Sequence, residues 1–85
     1  MHYIYILKSK SDHKLYIGYT NKLNSRIKQH NDGKVFSTKG RRPFEIVYYE
    51  AYASEKDARQ REKNLKLFSR AYSGLKKRIP NSLNN

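Results

Sequence analysis

Tyr5, Tyr16, Arg26, His30 and Glu62 are the residues whose types and spacing bear most on chemistry. Glu62 is the last carboxylate side chain in the sequence and stands between Arg61 and Lys63. In the helix expected around it, Ala58 and Leu65 lie seven apart and define an inward stripe, and positions 61 and 62 fall on that stripe. A carboxylate aimed near a core either pairs with a neighbouring cation or ligates a metal. Arg26 and His30, four apart, run along one border of an earlier helix whose inward edge is Leu23 and Ile27. An arginine there can snorkel, and a histidine there is a boundary residue. Tyr3 and Tyr5 share one face of a strand, and Tyr16 and Gly18 share one face of the next. Aromatic alternation commonly serves packing, whereas a glycine inside a strand marks a close backbone approach or a bulge.

The elements that carry these residues follow from periodicity. His2–Leu7 and Lys14–Tyr19 are Tyr/Ile-rich strands, joined as an antiparallel hairpin by the turn-rich Ser9-Lys10-Ser11-Asp12-His13. Asn21 to about Asn31 reads as a short helix, capped by Thr20 or Asn21 and stopped near Asp32-Gly33. Lys34–Pro43 is a basic loop, and Glu45–Tyr52 is a third strand. Ser54-Glu55-Lys56-Asp57 resembles a capping box and opens a helix to about Phe68; Arg70–Arg78 makes a last short helix, weakened by Ser73-Gly74. The expected fold class is α+β, a three-stranded antiparallel sheet flanked by helices in the order β-β-α-β-α-α. Residues 1–79 form its single domain, and residues 80–85 form a disordered tail.

Composition sets the outer limits. Eighty-five residues allow one small domain, and 19 Lys+Arg against 7 Asp+Glu give a formal charge of +12. Val, Ile, Leu and Phe number only 18, so the eight tyrosines must supplement the core. The absence of cysteine excludes a disulfide framework, a thiolate zinc site and a cysteine nucleophile. Apolar runs of five or six residues are too short to span a membrane or to form a signal peptide, so a cytoplasmic protein with no membrane partner is expected. The charge is uneven: residues 1–44 carry +8, residues 45–62 carry −2 and residues 63–85 carry +6. Such a surplus favours a polyanionic partner, nucleic acid before an anionic membrane surface.

These spacings converge on one pattern. Tyr3-Ile4-Tyr5 and Tyr16-Ile17-Gly18, with the two tyrosines Tyr5 and Tyr16 eleven apart, resemble the two signature tripeptides of the GIY-YIG nucleases. Arg26 follows Tyr16 by ten, His30 follows Arg26 by four, and Glu62 stands on the helix after the third strand, all at family positions. The resemblance covers roughly residues 2–68. Within the superfamily the chain is similar to the small stand-alone members, with Gly40-Arg41-Arg42-Pro43 ahead of the third strand. It departs from the pattern at Tyr3, where the family name implies glycine, and at Tyr19, where some members carry lysine. Asn64 and Asn81 are candidates for the late asparagine of some relatives.

The resemblance implies a metal-dependent DNA endonuclease, of the kind that acts in DNA repair or recombination. Tyr16 would act as, or relay to, the general base, and Tyr5 would orient the phosphate or the water. A phenol ionises near pH 10, so it becomes a usable base only where cations or a metal-bound water favour its anion. Arg26 would contact the scissile phosphate as a bidentate donor. His30 would exchange a proton on the leaving side or orient Tyr5. Glu62 would hold one divalent metal, Mg²⁺ or Mn²⁺, and with a single inward carboxylate a two-metal site is not expected. Lys39, Arg41 and Arg42 in the loop, and Lys56, Arg59, Lys63 and Lys66 on the outer face of the second long helix, are natural phosphate contacts that give affinity without sequence information. No helix-turn-helix or zinc finger is attached. The expected substrate is therefore chosen by structure, such as a single strand, flap or branch, or by a protein partner that supplies targeting. The alternative is a non-catalytic DNA- or RNA-binding module that retains the fold.

Overall fold

The residues Ile4 to Leu7 are apolar or aromatic without interruption, as expected of a strand covered on both faces. In the computed structural model, which describes residues 1–84, this segment is the centre of β1 (His2–Ser9). It pairs antiparallel with β2 (Leu15–Thr20) on one side and β3 (Phe44–Tyr52) on the other, so the sheet order is β2-β1-β3. The tight hairpin is closed by Ser9 N–H to Lys14 O at 2.9 Å, and the Ser9 hydroxyl oxygen accepts from the N–H groups of Ser11 and Asp12 at 3.1 Å. Register sets Tyr5 opposite Gly18 and Leu7 opposite Tyr16 on the β2 side, and Tyr5 opposite Tyr49 on the β3 side.

Alternation along β1 divides the interior into two clusters. Ile4 and Ile6 face α2 (Glu55–Leu67) and α3 (Ser69–Arg78), where they meet Ala58, Leu65 and Leu75. Tyr5 and Leu7 face the opposite way, toward α1 (Leu23–Asn31), and pack with Tyr16, Leu23, Ile27 and Phe44. The expected supplement from tyrosine is visible on the α2 side, where Tyr19, Tyr48, Tyr52 and Tyr72 pack around the aliphatic cluster. Glu50 is drawn inward on the same side. Arg61 donates to both its oxygens, at 3.0 and 3.1 Å, and the hydroxyls of Tyr48 and Tyr52 donate to it as well.

The fold class and element order match the expectation from sequence, with local differences that begin with a 3₁₀ turn, Lys39–Arg41, inside the expected basic loop. The α1 helix begins at Leu23, because the Thr20 hydroxyl accepts the Lys22 N–H at 3.0 Å in a tight turn ahead of the helix instead of capping it. Ser54 occupies the N-cap of α2, but its side chain makes no capping hydrogen bond, so the capping box is not formed. A disordered tail was expected over 80–85, whereas Pro80–Leu83 forms a helical turn, α4. Proline suits the first helical position, and the Lys8 ammonium donates to the Leu83 carbonyl at 2.7 Å. Asn85 lies outside the described residues. No helix among the described residues is long and apolar enough to cross a membrane.

Candidate functional site

Tyr5 and His30 form the floor of the site. The Tyr5 side chain is almost fully buried, and its ring lies across Gly18: a Cβ at position 18 would fall 2.4 Å from Tyr5 Cζ and Oη. The glycine of the second tripeptide is thus the seat of the phenol in the first, the close approach its position in a strand suggested. The Tyr5 hydroxyl is 2.9 Å from His30 Nε2, and His30 Nδ1 is 2.8 Å from Thr38 Oγ1. The Thr38 hydroxyl in turn points at the Val35 carbonyl, 3.4 Å away. Because a carbonyl can only accept, the chain of donors is assigned from that end. Thr38 donates to Val35, His30 Nδ1–H donates to Thr38, and Tyr5 O–H donates to His30 Nε2. The pattern requires a neutral imidazole. Burial, reinforced by the charge of Arg26, lowers the His30 pKa to about 4, and its side chain is fully buried. Burial likewise pushes the Tyr5 phenol up to about 12 even though the Arg26 guanidinium beside it acts in the other direction. Tyr5 is therefore a neutral hydrogen-bonding group at physiological pH.

Tyr16 lies over this floor. Its ring is 5.0 Å from that of His30, edge to face, and 6.4 Å from that of Tyr5. It is half-buried, and its hydroxyl makes no hydrogen bond among the described residues. One helical turn from His30 stands Arg26, partly exposed, whose Nη1 donates to Gln29 at 3.0 Å. Tyr5, Tyr16, Arg26 and His30 are thus brought together on the α1 face of the sheet. Glu62 is carried by α2, which packs on the other face of the sheet. Burial is the main cause that raises the pKa of Tyr5 and Tyr19, and the charge of Glu62 adds the smallest part to each. Glu62 Oε2 accepts from Lys66 at 3.0 Å, four residues on; Oε1 takes no hydrogen bond among the described residues. No group of three His, Asp or Glu side chains converges among the described residues. A single hard-oxygen ligand fits Mg²⁺ or Mn²⁺, which keep several waters and take the remaining ligands from phosphate oxygens; it does not fit an all-protein cage.

The cations differ in how free they are. Arg41 is tied to Asp12 at 2.8 Å and lies over the Phe44 ring at 5.6 Å; that guanidinium holds the Asp12 carboxyl well down, to about 2. Arg42 rests on Gly33, whose positive φ of 76° and missing Cβ admit the guanidinium, and its Nε donates to the Lys39 carbonyl at 2.8 Å. Arg59 covers the Tyr19 ring at 4.1 Å and pairs loosely with Glu55 at 3.4 Å. Lys66 is occupied by Glu62, whereas Lys39, Lys56 and Lys63 form no ion pair among the described residues. Asn64 bonds Gln60 and Asn81 lies on α4, so neither is tied to the phenol–imidazole floor. Thr38 is the site residue that sequence reasoning missed. Nothing in its loop marks it, although a hydroxyl eight residues beyond an inward histidine was the available signal.

With this geometry in place, comparison with known proteins bears on its lineage. The family model described as the GIY-YIG catalytic domain matches residues 1–78. The chain belongs to the GIY-YIG family. GIY-YIG domains form a nuclease superfamily that generally uses divalent metals, and the type implies a nucleic-acid substrate. A UPF0213 protein of Staphylococcus haemolyticus is 49% identical over 70 residues, spanning 81% of this chain and 84% of the relative. A UPF0213 protein of Bacillus pumilus is 44% identical over 75 residues, spanning 87% and 76%. The solution NMR structure of a UPF0213 protein from Bacillus halodurans is similar at 40% identity, covers 87% of this chain and 79% of its own, and superposes with a TM-score of 0.54. This GIY-YIG chain is therefore akin to small proteins of about its own length.

Proposed function

We propose that this protein is a metal-dependent endonuclease that hydrolyses phosphodiester bonds in DNA. The observation that carries the reading is the convergence of Tyr5, Tyr16, Arg26 and His30 on one sheet face. Tyr16, whose hydroxyl makes no hydrogen bond among the described residues, acts as its phenolate after giving its own proton to solvent, and takes the proton of the attacking water to return to the phenol. The water oxygen bonds to phosphorus, the bond to the leaving sugar oxygen breaks, and that oxygen is protonated from solvent. Arg26 holds the non-bridging oxygens of the scissile phosphate through its planar fork of donors. Tyr5 stays protonated with its O–H given to His30, so its oxygen is left to orient the water by accepting from it. His30, buried and neutral, fixes the Tyr5 hydroxyl and supports the Tyr16 ring, which makes it a positioning residue. Glu62 would hold the divalent ion, which when bound would supply positive charge to offset that of the phosphate. The unpaired lysines Lys39, Lys56 and Lys63, with Arg42 and Arg59, bind flanking phosphates without reading sequence.

The test is incubation of purified protein with single-stranded, duplex and branched DNA in Mg²⁺ or Mn²⁺, beside Glu62→Ala and Arg26→Ala. The expected result is cleavage by the wild type and a loss of about a hundredfold or more in each folded variant. No cleavage by the wild type, or variants that cut as well, overturns the assignment. The pairing of Lys66 with Glu62 favours one other reading, a nucleic-acid-binding module that keeps the fold without the chemistry. It predicts salt-sensitive binding, indifferent to Glu62→Ala, with no product under any metal.

A further inference from the structure

Phe36 is 92% exposed. In a chain with only 18 Val, Ile, Leu and Phe residues, a phenylalanine left in water forgoes stabilisation the core needs. The backbone that carries it is nonetheless well tethered. Thr38 N–H donates to the Val35 carbonyl at 3.1 Å, closing a turn with Phe36 and Ser37 at its exposed tip. Thr38 is itself fully buried, bonded through its hydroxyl to His30 and through its carbonyl to the Arg41 N–H at 2.9 Å. The phenyl ring is thus displayed to solvent two residues from the side chain that anchors the site histidine, a backbone span of about 7 Å at most. The surrounding segment, residues 33–44, carries Lys34, Lys39, Arg41 and Arg42 and no carboxylate ahead of Glu45. A bare aromatic ring and, in the same segment, Lys34 and Lys39 with no ion pair among the described residues do not suit an apolar protein partner. They suit a polyanion that also offers flat apolar faces, which is the chemistry of nucleic acid. Paired bases bury their faces in their own stack, so the base that can meet Phe36 is an unpaired one.

We propose that Phe36 is a stacking platform for an unpaired nucleobase beside the phosphodiester held at Tyr16 and Arg26, so that the site selects nucleic acid with a single-stranded segment. The placement next to the scissile bond rests on the nuclease reading; the stack itself does not, and it is measured without divalent metal. The sequence has no tryptophan, so Phe36→Trp installs a single indole, excited apart from the tyrosines, at an exposed position that folding does not use. Deoxyuridine and uridine oligomers, which share one base, are titrated into it in EDTA at fixed low salt, beside an abasic oligomer of equal charge and a blunt duplex. Quenching by an unpaired oligomer, with little response to the abasic chain or the duplex, is expected; which sugar quenches at lower concentration identifies DNA or RNA as the better source. By anisotropy, Phe36→Ala should weaken single-strand binding by about fivefold to a hundredfold, and Phe36→Tyr should restore it. Equal quenching by the abasic oligomer, no quenching at saturation, or unchanged affinity in Phe36→Ala overturns the stack. So does a concentration-dependent dimer of the wild type that Phe36→Ala dissolves, since the ring would then serve a second copy of the chain. A stack found with no cleavage condemns only the nuclease reading, and cleavage with no stack condemns only this one.

Discussion

Replacing Gly18 by alanine probes the contact on which the geometry of the site depends. The new Cβ would lie 2.4 Å from Tyr5 Cζ and Oη and 2.9 Å from Cε2, where about 3.5 Å is needed. Phenol and strand must therefore separate by about 1 Å. Tyr5 is on the central strand, nearly fully buried, with its hydroxyl held by His30; β2 is at the edge and yields more readily. Overpacking of this kind costs about 1–3 kcal/mol, and removal of a strand glycine returns about 0.5–1 kcal/mol, which leaves a net loss of roughly 1–2 kcal/mol. In a Tyr5→Leu background the ring is gone, and Gly18→Ala should be neutral or slightly stabilising. The assay is urea unfolding of the four proteins of this double-mutant cycle, read as midpoints with a shared slope. A coupling of about 1–3 kcal/mol is expected. Gly18→Ala costing the same in both backgrounds, or nothing in the wild type, would refute the idea that glycine is there to seat the phenol.

Three other outcomes follow from the same geometry. Because the His30 pKa falls to about 4 in the folded state, the unfolded chain takes up a proton below about pH 6.5 that the native protein refuses until about pH 4. Stability should be full above about pH 6.5 and decline by up to ~3 kcal/mol toward pH 4, a slope that urea titrations should find flattened in His30→Gln. Burial pushes the Glu50 carboxyl up, but the Arg61 fork and the hydroxyls of Tyr48 and Tyr52 outweigh it and hold the pKa below its ordinary value. Glu50→Ala should lower stability by ~2 kcal/mol, less than for a fully enclosed pair, as seen in chemical melts, without changing nucleic-acid affinity. Arg41 is already neutralised by Asp12, so Arg41→Ala should barely alter the slope of log affinity against log salt, whereas Lys63→Ala should reduce its magnitude by about 0.7–0.9. Anisotropy titrations across about 50–200 mM salt distinguish the two.

Sheet, strand order in sequence and the inward edges of α1 and α2 are legible because they depend on local alternation and seven-residue spacing. Gly18 is legible because a glycine in a strand has few roles, and one of them is to admit a neighbour. The deep burial of His30 is not, since it depends on Thr38, which a turn brings beneath the imidazole from outside the helix. Arg41 looks like its neighbour Arg42 in sequence, yet only the hairpin turn supplies the aspartate that occupies it. The helical turn at Pro80–Leu83 is hidden for the same reason: its polar residues promise no core, and its tether is the ammonium of Lys8 from the far end of the chain. What sequence conceals here is which distant polar groups find each other; what it reveals is which apolar faces must be covered.

The central position of β1 gives the two halves of the site different mechanical characters. Residues Ile4 to Leu7 are shielded on both faces and paired on both edges, so their amides should exchange with solvent only when the whole domain opens. Tyr5 inherits that rigidity. Arg26 and Glu62 sit on helices applied to opposite faces; Glu62 is held between the buried Ala58 and Leu65, whereas Arg26, near the start of α1, can move by local fraying without disturbing the strand. The phenol–imidazole floor is therefore rigid where the start of α1 is adjustable, and slow-exchange measurements should divide the two along that seam.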